Sequence, residues 1–232
     1  MRIGAIIQAR MGSRRLPGKS LALICSKPLL QYVIESLRQC RKLDCLALAT
    51  SGEAEDDAIA ALARDLDVVC TRGPLANVAA RFALTIEQLG LNVFVRICGD
   101  SPLLDWRLVD RAVGMFLDSN ADMVSNCHPR VFPPGASVEV VRSEVFLRAL
   151  PHIADPGEQE HVTSYFHARA ADFHIVSMGA DRDYSGLNLC VDEPGDLERI
   201  RGLVRRLKRP HWSYTLAELH ALAQGAAEGE GT

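Results

Sequence analysis

Nowhere does the chain hold the ~18 consecutive apolar residues that a helix needs to cross a bilayer, so a helical membrane protein is not the expectation. The apolar start "IGAII" is too short for a secretory leader and runs straight into arginines, which points to a cytoplasmic protein. Net charge is small: 26 Lys+Arg against 29 Asp+Glu leave −3. General affinity for polyanions such as nucleic acid is thereby excluded, and any local basic cluster needs a local reason. CxxC pairs are lacking, and the seven cysteines are odd in number. Most sit in apolar runs such as "DVVC" and "VRIC", where a free thiol behaves as a small hydrophobe, so reduced structural thiols are expected rather than a disulfide framework. Cys40 and Cys45 have no His or Cys close enough in sequence to complete a tetrahedral metal set. There is no internal repeat and no linker between two full domains.

What is present is an ordinary globular composition, 48% apolar and 24% charged over 232 residues, enough for one α/β domain with a modest appendage. Short apolar runs alternate with amphipathic segments. Strands are expected at 3–7, 45–50, 67–70, 92–97 and 122–126. Helices are expected at 27–40 (Ser26 as N-cap, Pro28 in the first turn), 55–66, 74–90 and 105–119. Such alternation argues βαβ units and a mainly parallel sheet. The rhythm breaks at the proline-rich loop 128–135. A half-exposed strand (136–141), a helical region (143–170), strands at 172–178 and 187–192 and a helix at 193–209 follow. The tail "GAAEGEGT" has no large apolar residue and reads as disordered. In an open parallel sheet ligands bind beyond the carboxyl ends of the strands, so loops 8–20, 50–54, 71–73, 98–102 and 192–196 are the places to search.

The first of these loops is unusual. "IIQARMGSRRLPGKS" (6–20) packs Arg10, Arg14, Arg15 and Lys19 among two glycines and a proline. "SRRLPGKS" misses G-x-x-x-x-G-K-[ST] by one residue, Ser13 standing where the phosphate loop has glycine. Pro17 removes a backbone donor and biases Leu16 towards extended geometry. The next helix start, at Ser26, lies seven residues beyond Lys19. A true phosphate loop is therefore not expected. A longer loop that binds phosphate through both backbone and side chains remains, as does a merely solvated basic loop. Asp100, ending the apolar run "VFVRICGD", would face the crevice and suits a hard cation such as Mg²⁺, or else caps a turn. Asp192 stands in the same relation to "LNLCVD", directly before Pro194.

Taken together, these segments resemble the cytidylyltransferases that activate acidic sugars. The similarity is greatest to the spore coat polysaccharide group, related to the CMP-Kdo and CMP-sialic acid synthetases. It runs over roughly residues 1–205. The resemblance implies a three-layer α/β/α sandwich of the nucleotide-diphospho-sugar transferase type, with a mainly parallel sheet and a small β extension. A nucleotidyltransferase domain would span 1–209, with acceptor-sugar and dimer contacts within 128–178, before a C-terminal helix and tail at 210–232. It implies CTP as co-substrate, bound by Ala9, Arg10, Gly12, Ser13, Arg14, Arg15 and Lys19. "GDSPLLD" matches a "GDxPL" motif whose aspartate binds Mg²⁺, and "VDEPGDL" a "vD-x-x-x-DL" element, giving Asp100 and Asp192 as metal ligands. Arg10, Lys19 and Asp100 would be the catalytic set. Arg72, Asn77 and Arg81, from "RGPLANVAARF", would line the nucleotide pocket, although Asn77 replaces the usual acid.

"FPPGASVEV" and "EHVT" would bring Pro134, Gly135, Glu139, His161 and Thr163 to the acceptor. "GLNL" lacks the basic residue that relatives often carry there. The implied reaction is attack of a sugar's anomeric hydroxyl on the α-phosphorus of CTP with loss of pyrophosphate, in a homodimeric enzyme of surface polysaccharide synthesis. A glycosyltransferase or a non-catalytic nucleotide-sugar-binding protein on the same scaffold is the alternative. A phosphate-loop NTPase is the third; Arg96 interrupts the nearest strand that could serve it as the Asp-terminated partner.

Overall fold

The structure is a computed structural model that describes residues 1–184 and 186–227. Its first half follows the alternating pattern. β1 (Ile3–Gln8), α1 (Leu29–Leu37), β4 (Cys45–Ser51), α2 (Asp57–Asp65), β5 (Val69–Gly73), α3 (Val78–Leu89), β6 (Val93–Cys98), α4 (Trp106–Asp118) and β7 (Met123–Ser125) succeed one another. Between β1 and α1 lies a two-residue ribbon, β2 (Leu23–Ile24) paired antiparallel with β3 (Lys27–Pro28). After β7 come β8 (Glu139–Arg142), α5 (Ser143–Ala149), α6 (Pro156–Glu160), α7 (Ser164–Ala168), β9 (Ile175–Ser177), α8 (Pro194–Arg205) and α9 (Leu216–Ala227).

The main sheet runs in the order β5-β4-β1-β6-β8-β7-β9. β1 pairs in parallel with both β4 and β6, and β4 with β5. β8 is antiparallel to β6 and β7, while β9 is parallel to β7. Strand order leaves β1 in opposite directions, so the crevice beyond β1 and β6 is a topological switch point, the usual ligand position in such sheets. The central strands read as nearly continuous apolar runs because both faces are covered. Val93, Val95 and Ile97 of β6 face a core shared with α1, α2, α4, α8 and α9. Phe94 faces a second core with α3, α5 and α7. This is the three-layer α/β/α sandwich with a mainly parallel sheet. The segment 128–178 supplies β8 and β9 to that sheet, and the separate β structure is the β2–β3 ribbon.

Several element ends follow from local chemistry. Asn77 caps α3 by accepting from the Ala80 amide, and Gly90 closes it in the left-handed region at φ 62°. Asp105 caps α4. Glu193 and Asp196 form a reciprocal capping box on α8, with Pro194 in its first turn.

Four expectations need correction. α1 begins at Leu29 rather than near Ser26, because Pro28 is extended (φ −56°, ψ 143°) and Lys27–Pro28 pairs in the ribbon. Residues 136–141 are not half-exposed: β8 is buried between β6 and β7. Residues 187–192 form no strand. Their amides are taken by loops instead: Leu189 N donates to Pro134 O, Val191 N to Asp100 O, and Cys190 N to the Asn188 side chain. The tail 225–232 is helical as far as Ala227, and its remaining residues lie outside those described. All seven cysteines are free thiols.

Candidate active site

The opening loop leaves β1 at Ala9 and is pinned by one buried carboxylate. Asp56, 1% exposed, accepts from Met11 N at 2.7 Å, Ser51 N at 3.0 Å and Ser51 Oγ at 2.5 Å. Burial alone would raise its pKa; these donors outweigh burial and hold it lowered. The loop then closes on itself. Ser13 N and Gly18 N both donate to Met11 O, at 2.8 and 2.9 Å, and Gly18 takes φ 74°. Two backbone donors that a phosphate loop would offer to its ligand are thus spent internally. What the loop presents is side chains. A single 3₁₀ turn (Lys19–Leu21) follows, started by Gly18.

Lys19 reaches across the switch point. Its Nζ lies 3.0 Å from Asp100 Oδ2, 2.9 Å from Asp192 Oδ1 and 2.9 Å from Val191 O, so all three N–H donors are used. Burial opposes its charge, but the two carboxylates outweigh that and raise its pKa. Burial would likewise raise Asp192; Lys19 and Arg15 reverse this and lower it. Arg15 Nη2 stands 3.0 Å from Asp192 Oδ2. Asp192 is oriented by α8, since its own amide donates to Asp196 Oδ2 at 2.9 Å. Asp100, Cys190 and Asp192 place one ligand atom each within 4.8 Å of one another. The two carboxylates fit a hard divalent cation, which takes one or two carboxylates and leaves the rest of its shell to phosphate and water. Burial and the two aspartates push the Cys190 thiol up.

These groups line a cavity of about 530 Å³. Ala9, Arg10, Ser13, Arg14, Arg15, Lys19, Arg81, Pro134, Gly135 and His161, all singled out in the sequence, form its wall together with Asp100 and Asp192. Gly12 lines an adjoining cavity of about 610 Å³ that shares Arg10, Arg14 and Glu160 with the first. Four of the named residues are elsewhere: Arg72, Asn77, Glu139 and Thr163, of which Asn77 is spent as the N-cap of α3 and lines neither cavity. Arg72 donates to Ser51 O, Glu53 O and Asp57 Oδ1, tying β5 to the segment before α2, and lines neither cavity. Glu139 and Thr163 are buried behind the wall, bonded to each other at 2.6 Å.

Within the wall, Arg10 pairs with Glu160 at 2.6 Å. Arg81 is 1% exposed, and its Nε and Nη1 have no hydrogen-bond partner among the described residues. Burial, then the charge of Arg10, lower its pKa. A buried guanidinium left this way is costly, and the cavity is where a partner can enter. Sequence reasoning missed Glu160, Arg130, Cys190 and, as a site residue, Arg96, all of them in the wall. Arg96 carried a readable signal: an arginine inside a buried apolar strand needs a reason to be there. The lining holds seven Arg and Lys side chains against three carboxylates, an excess that suits an anionic substrate.

Comparison with known proteins places the chain in a family. The cytidylyltransferase family profile matches residues 4–226. A spore coat polysaccharide biosynthesis protein of Bacillus subtilis is 30% identical over 208 residues, covering 87% of this chain and 85% of that one. A 3-deoxy-manno-octulosonate cytidylyltransferase of Anaeromyxobacter dehalogenans is 29% identical, covering 87% and 97%. Among solved structures, a cytidylyltransferase from Leptospira borgpetersenii superposes with TM-score 0.92 at 26% identity, covering 98% of this chain and 96% of that one.

Proposed function

From the premise that this chain belongs to the cytidylyltransferase family and is a nucleotidyltransferase using CTP, we propose that it transfers CMP to an acidic sugar, of the nonulosonic or a related 2-keto-3-deoxy class, for synthesis of a surface glycan. The observation that carries this reading is the convergence of Asp100, Asp192 and the loop cations on one cavity at the switch point. In the reaction the anomeric oxygen of the sugar forms a bond to the α-phosphorus of CTP. The bond from that phosphorus to the bridging oxygen breaks, pyrophosphate leaves with the electron pair, and the hydroxyl proton passes to water.

Each wall of the cavity has a part in this. Asp100 and Asp192 would hold Mg²⁺, which when bound would offset charge on the phosphate oxygens. Arg10, Arg14 and Arg15 receive the triphosphate, with paired guanidinium donors matching phosphate oxygens, and Lys19, held by Asp100, Asp192 and Val191 O, adds its positive charge beside them. Arg81 supplies the nucleotide with the donors that no protein group takes up. Pro134, Gly135 and His161 form the acceptor side, and Glu139 and Thr163 support it from behind. No covalent enzyme intermediate is needed, because positioning and charge complementarity lower the barrier to a direct displacement.

The test is pyrophosphate release from CTP and Mg²⁺ across a panel of 2-keto-3-deoxy sugar acids and neutral sugars. Release is expected with at least one acid. Release with neutral sugars alone, or with none despite CTP binding, overturns the acceptor class. Asp100→Ala should lower turnover by about 10³-fold, the scale of losing one main electrostatic contact to the transition state, with the circular dichroism spectrum unchanged. Undiminished turnover would remove Asp100 from the catalytic set.

A further inference from the structure

Arg96 sits in β6 directly across from Glu139 in β8, in the middle of the main sheet. Its neighbours Val95 and Ile97 point into the opposite core. On its own face the strand continues from Phe94, fully buried, to Arg96 and then Cys98, so the guanidinium lies where the apolar core gives way to the cavity. Its side chain is 12% exposed and that of Glu139 2%.

The pair is held from all sides. Arg96 Nη1 donates to Glu139 Oε2 at 2.7 Å, and Arg96 Nε to Gln8 Oε1 at 3.0 Å. Glu139 also accepts from Thr163 Oγ1 at 2.6 Å and from Ser125 Oγ at 3.3 Å, and has His167 Nε2 at 2.7 Å. Burial would raise the Glu139 pKa, but His167, Arg96 and Thr163 outweigh it and bring it to about 2, so the group is a permanent anion. Apolar residues of similar volume would fold about as well as such a buried ion pair, and fold stability alone does not explain it.

What the network achieves is orientation. Nε and Nη1 are fixed, while Nη2 has no hydrogen bond among the described residues and the side chain forms part of the cavity wall. Resting on the transfer to an acidic sugar proposed above, we infer that Arg96 receives the carboxylate of the acceptor and that Glu139 is its positioning residue. Two arguments select the carboxylate over the triphosphate. First, an in-line displacement puts the entering sugar opposite the leaving pyrophosphate. The loop cations Arg10, Arg14, Arg15 and Lys19 come from the segment that follows β1, whereas Arg96 reaches from β6 to Glu139 of β8, and the segment leading into β8 brings Arg130, Pro134 and Gly135 to the same cavity. Second, in a 2-keto-3-deoxy acid the carboxylate is attached to the carbon that bears the attacking hydroxyl. One oriented guanidinium therefore both selects the acid and aims its nucleophile.

The experiment compares the acid with the same sugar whose carboxylate is reduced to a primary alcohol, the anomeric carbon being left intact. It uses wild type, Arg96→Lys, Arg96→Met and the paired Arg96→Met/Glu139→Met, which leaves no buried charge uncompensated. Expected for all three variants is a rise of about 10- to 100-fold in KM for the acid, the loss of one or two charge-assisted bonds. No further penalty is expected on the alcohol, and CTP affinity by calorimetry should not change. Should acid and alcohol suffer equally in Arg96→Lys and in the paired variant, the role of Arg96 is structural and the inference falls while cytidylyl transfer stands. Should wild type use only neutral acceptors, the acidic-sugar reading fails and takes the inference with it. If no acceptor is turned over, 3-deoxy-manno-octulosonate is titrated into the protein with α,β-methylene-CTP. Binding that is lost in Arg96→Lys supports the inference; no binding to wild type, or equal binding to both, overturns it.

Discussion

Arg81 is the residue with the largest mismatch between burial and partnership. Its guanidinium is enclosed at the start of α3, two of its nitrogens are unpaired among the described residues, and the charge of Arg10 adds to the cost. A group that destabilises the free protein and faces a ligand cavity should show opposite effects with and without ligand. Arg81→Met is expected to stabilise the free protein by about 1–3 kcal/mol, since a buried uncompensated charge is removed. The same change should abolish most of the rise in melting temperature that CTP and Mg²⁺ give by mass action. A thermal melt of both proteins with and without nucleotide checks this; an unaltered CTP shift in Arg81→Met would place the nucleotide elsewhere. The residue scale also shows what a resemblance can and cannot transfer. Arg72 and Arg81 come from one motif, but Arg72 is spent on Asp57 and the backbone of Ser51 and Glu53, while Arg81 is left facing the cavity.

At the scale of elements, the segment 187–192 matters most, because it brings Asp192 to Asp100. It is held by loops rather than by a ladder: Leu189 N to Pro134 O at 2.8 Å and Val191 N to Asp100 O at 2.9 Å. Close approach is possible only because residue 135 is glycine. Gly135 has φ 89°, and a Cβ there would lie 2.4 Å from the backbone carbon of Leu189. Gly135→Ala should therefore cost about 2–4 kcal/mol in denaturant unfolding, from strain and overpacking together. It should also weaken Mn²⁺ binding, read by electron paramagnetic resonance, by displacing Asp192; a variant of native stability and metal affinity would show the contact to be dispensable. The sequence made this segment look like a strand because apolar residues alternate there. Alternation cannot say what the neighbouring backbone will be, and here it is the loops at Pro134 and Asp100 rather than a strand. The start of α1 was misread for a related reason. Ser26 and Pro28 are good helix-start residues, but pairing of Lys27–Pro28 with Leu23–Ile24 takes those positions.

For the whole molecule, the sandwich is held by two cores on the two faces of one sheet, and the Arg96–Glu139 network lies between the second core and the cavity. Unfolding exposes Glu139 and returns it from about 2 to its ordinary value of 4.5. Because the folded value is the lower, the native state gains stability that is fully present above about pH 4.5. That gain is lost as pH falls towards 2. The shift corresponds to ~3 kcal/mol. Urea unfolding between pH 6 and pH 2.5 is expected to show this loss, and the Arg96→Met/Glu139→Met protein is expected to lack that part of it. An equal acid sensitivity in both would assign the loss to other carboxylates.

By itself the sequence determined the alternation of strands and helices, the mainly parallel sheet and the positions of the strand-end loops. It also placed Arg10, Lys19 and Asp100 in those loops. These features rest on local periodicity, on capping residues and on the need to cover both faces of a sheet, all of which are written within short windows of chain. Tertiary structure alone decided three further matters. It brought Asp192 next to Asp100, ninety-two positions away, and set Lys19 between them. It turned the amides of Ser13 and Gly18 inward, so that a loop one residue short of a phosphate loop works through its side chains. It also set Arg96 against Glu139, a pairing fixed by the antiparallel register of β6 and β8. Such contacts depend on which strands become neighbours and in what register. That is settled by packing across the whole sheet, and no short stretch of sequence encodes it.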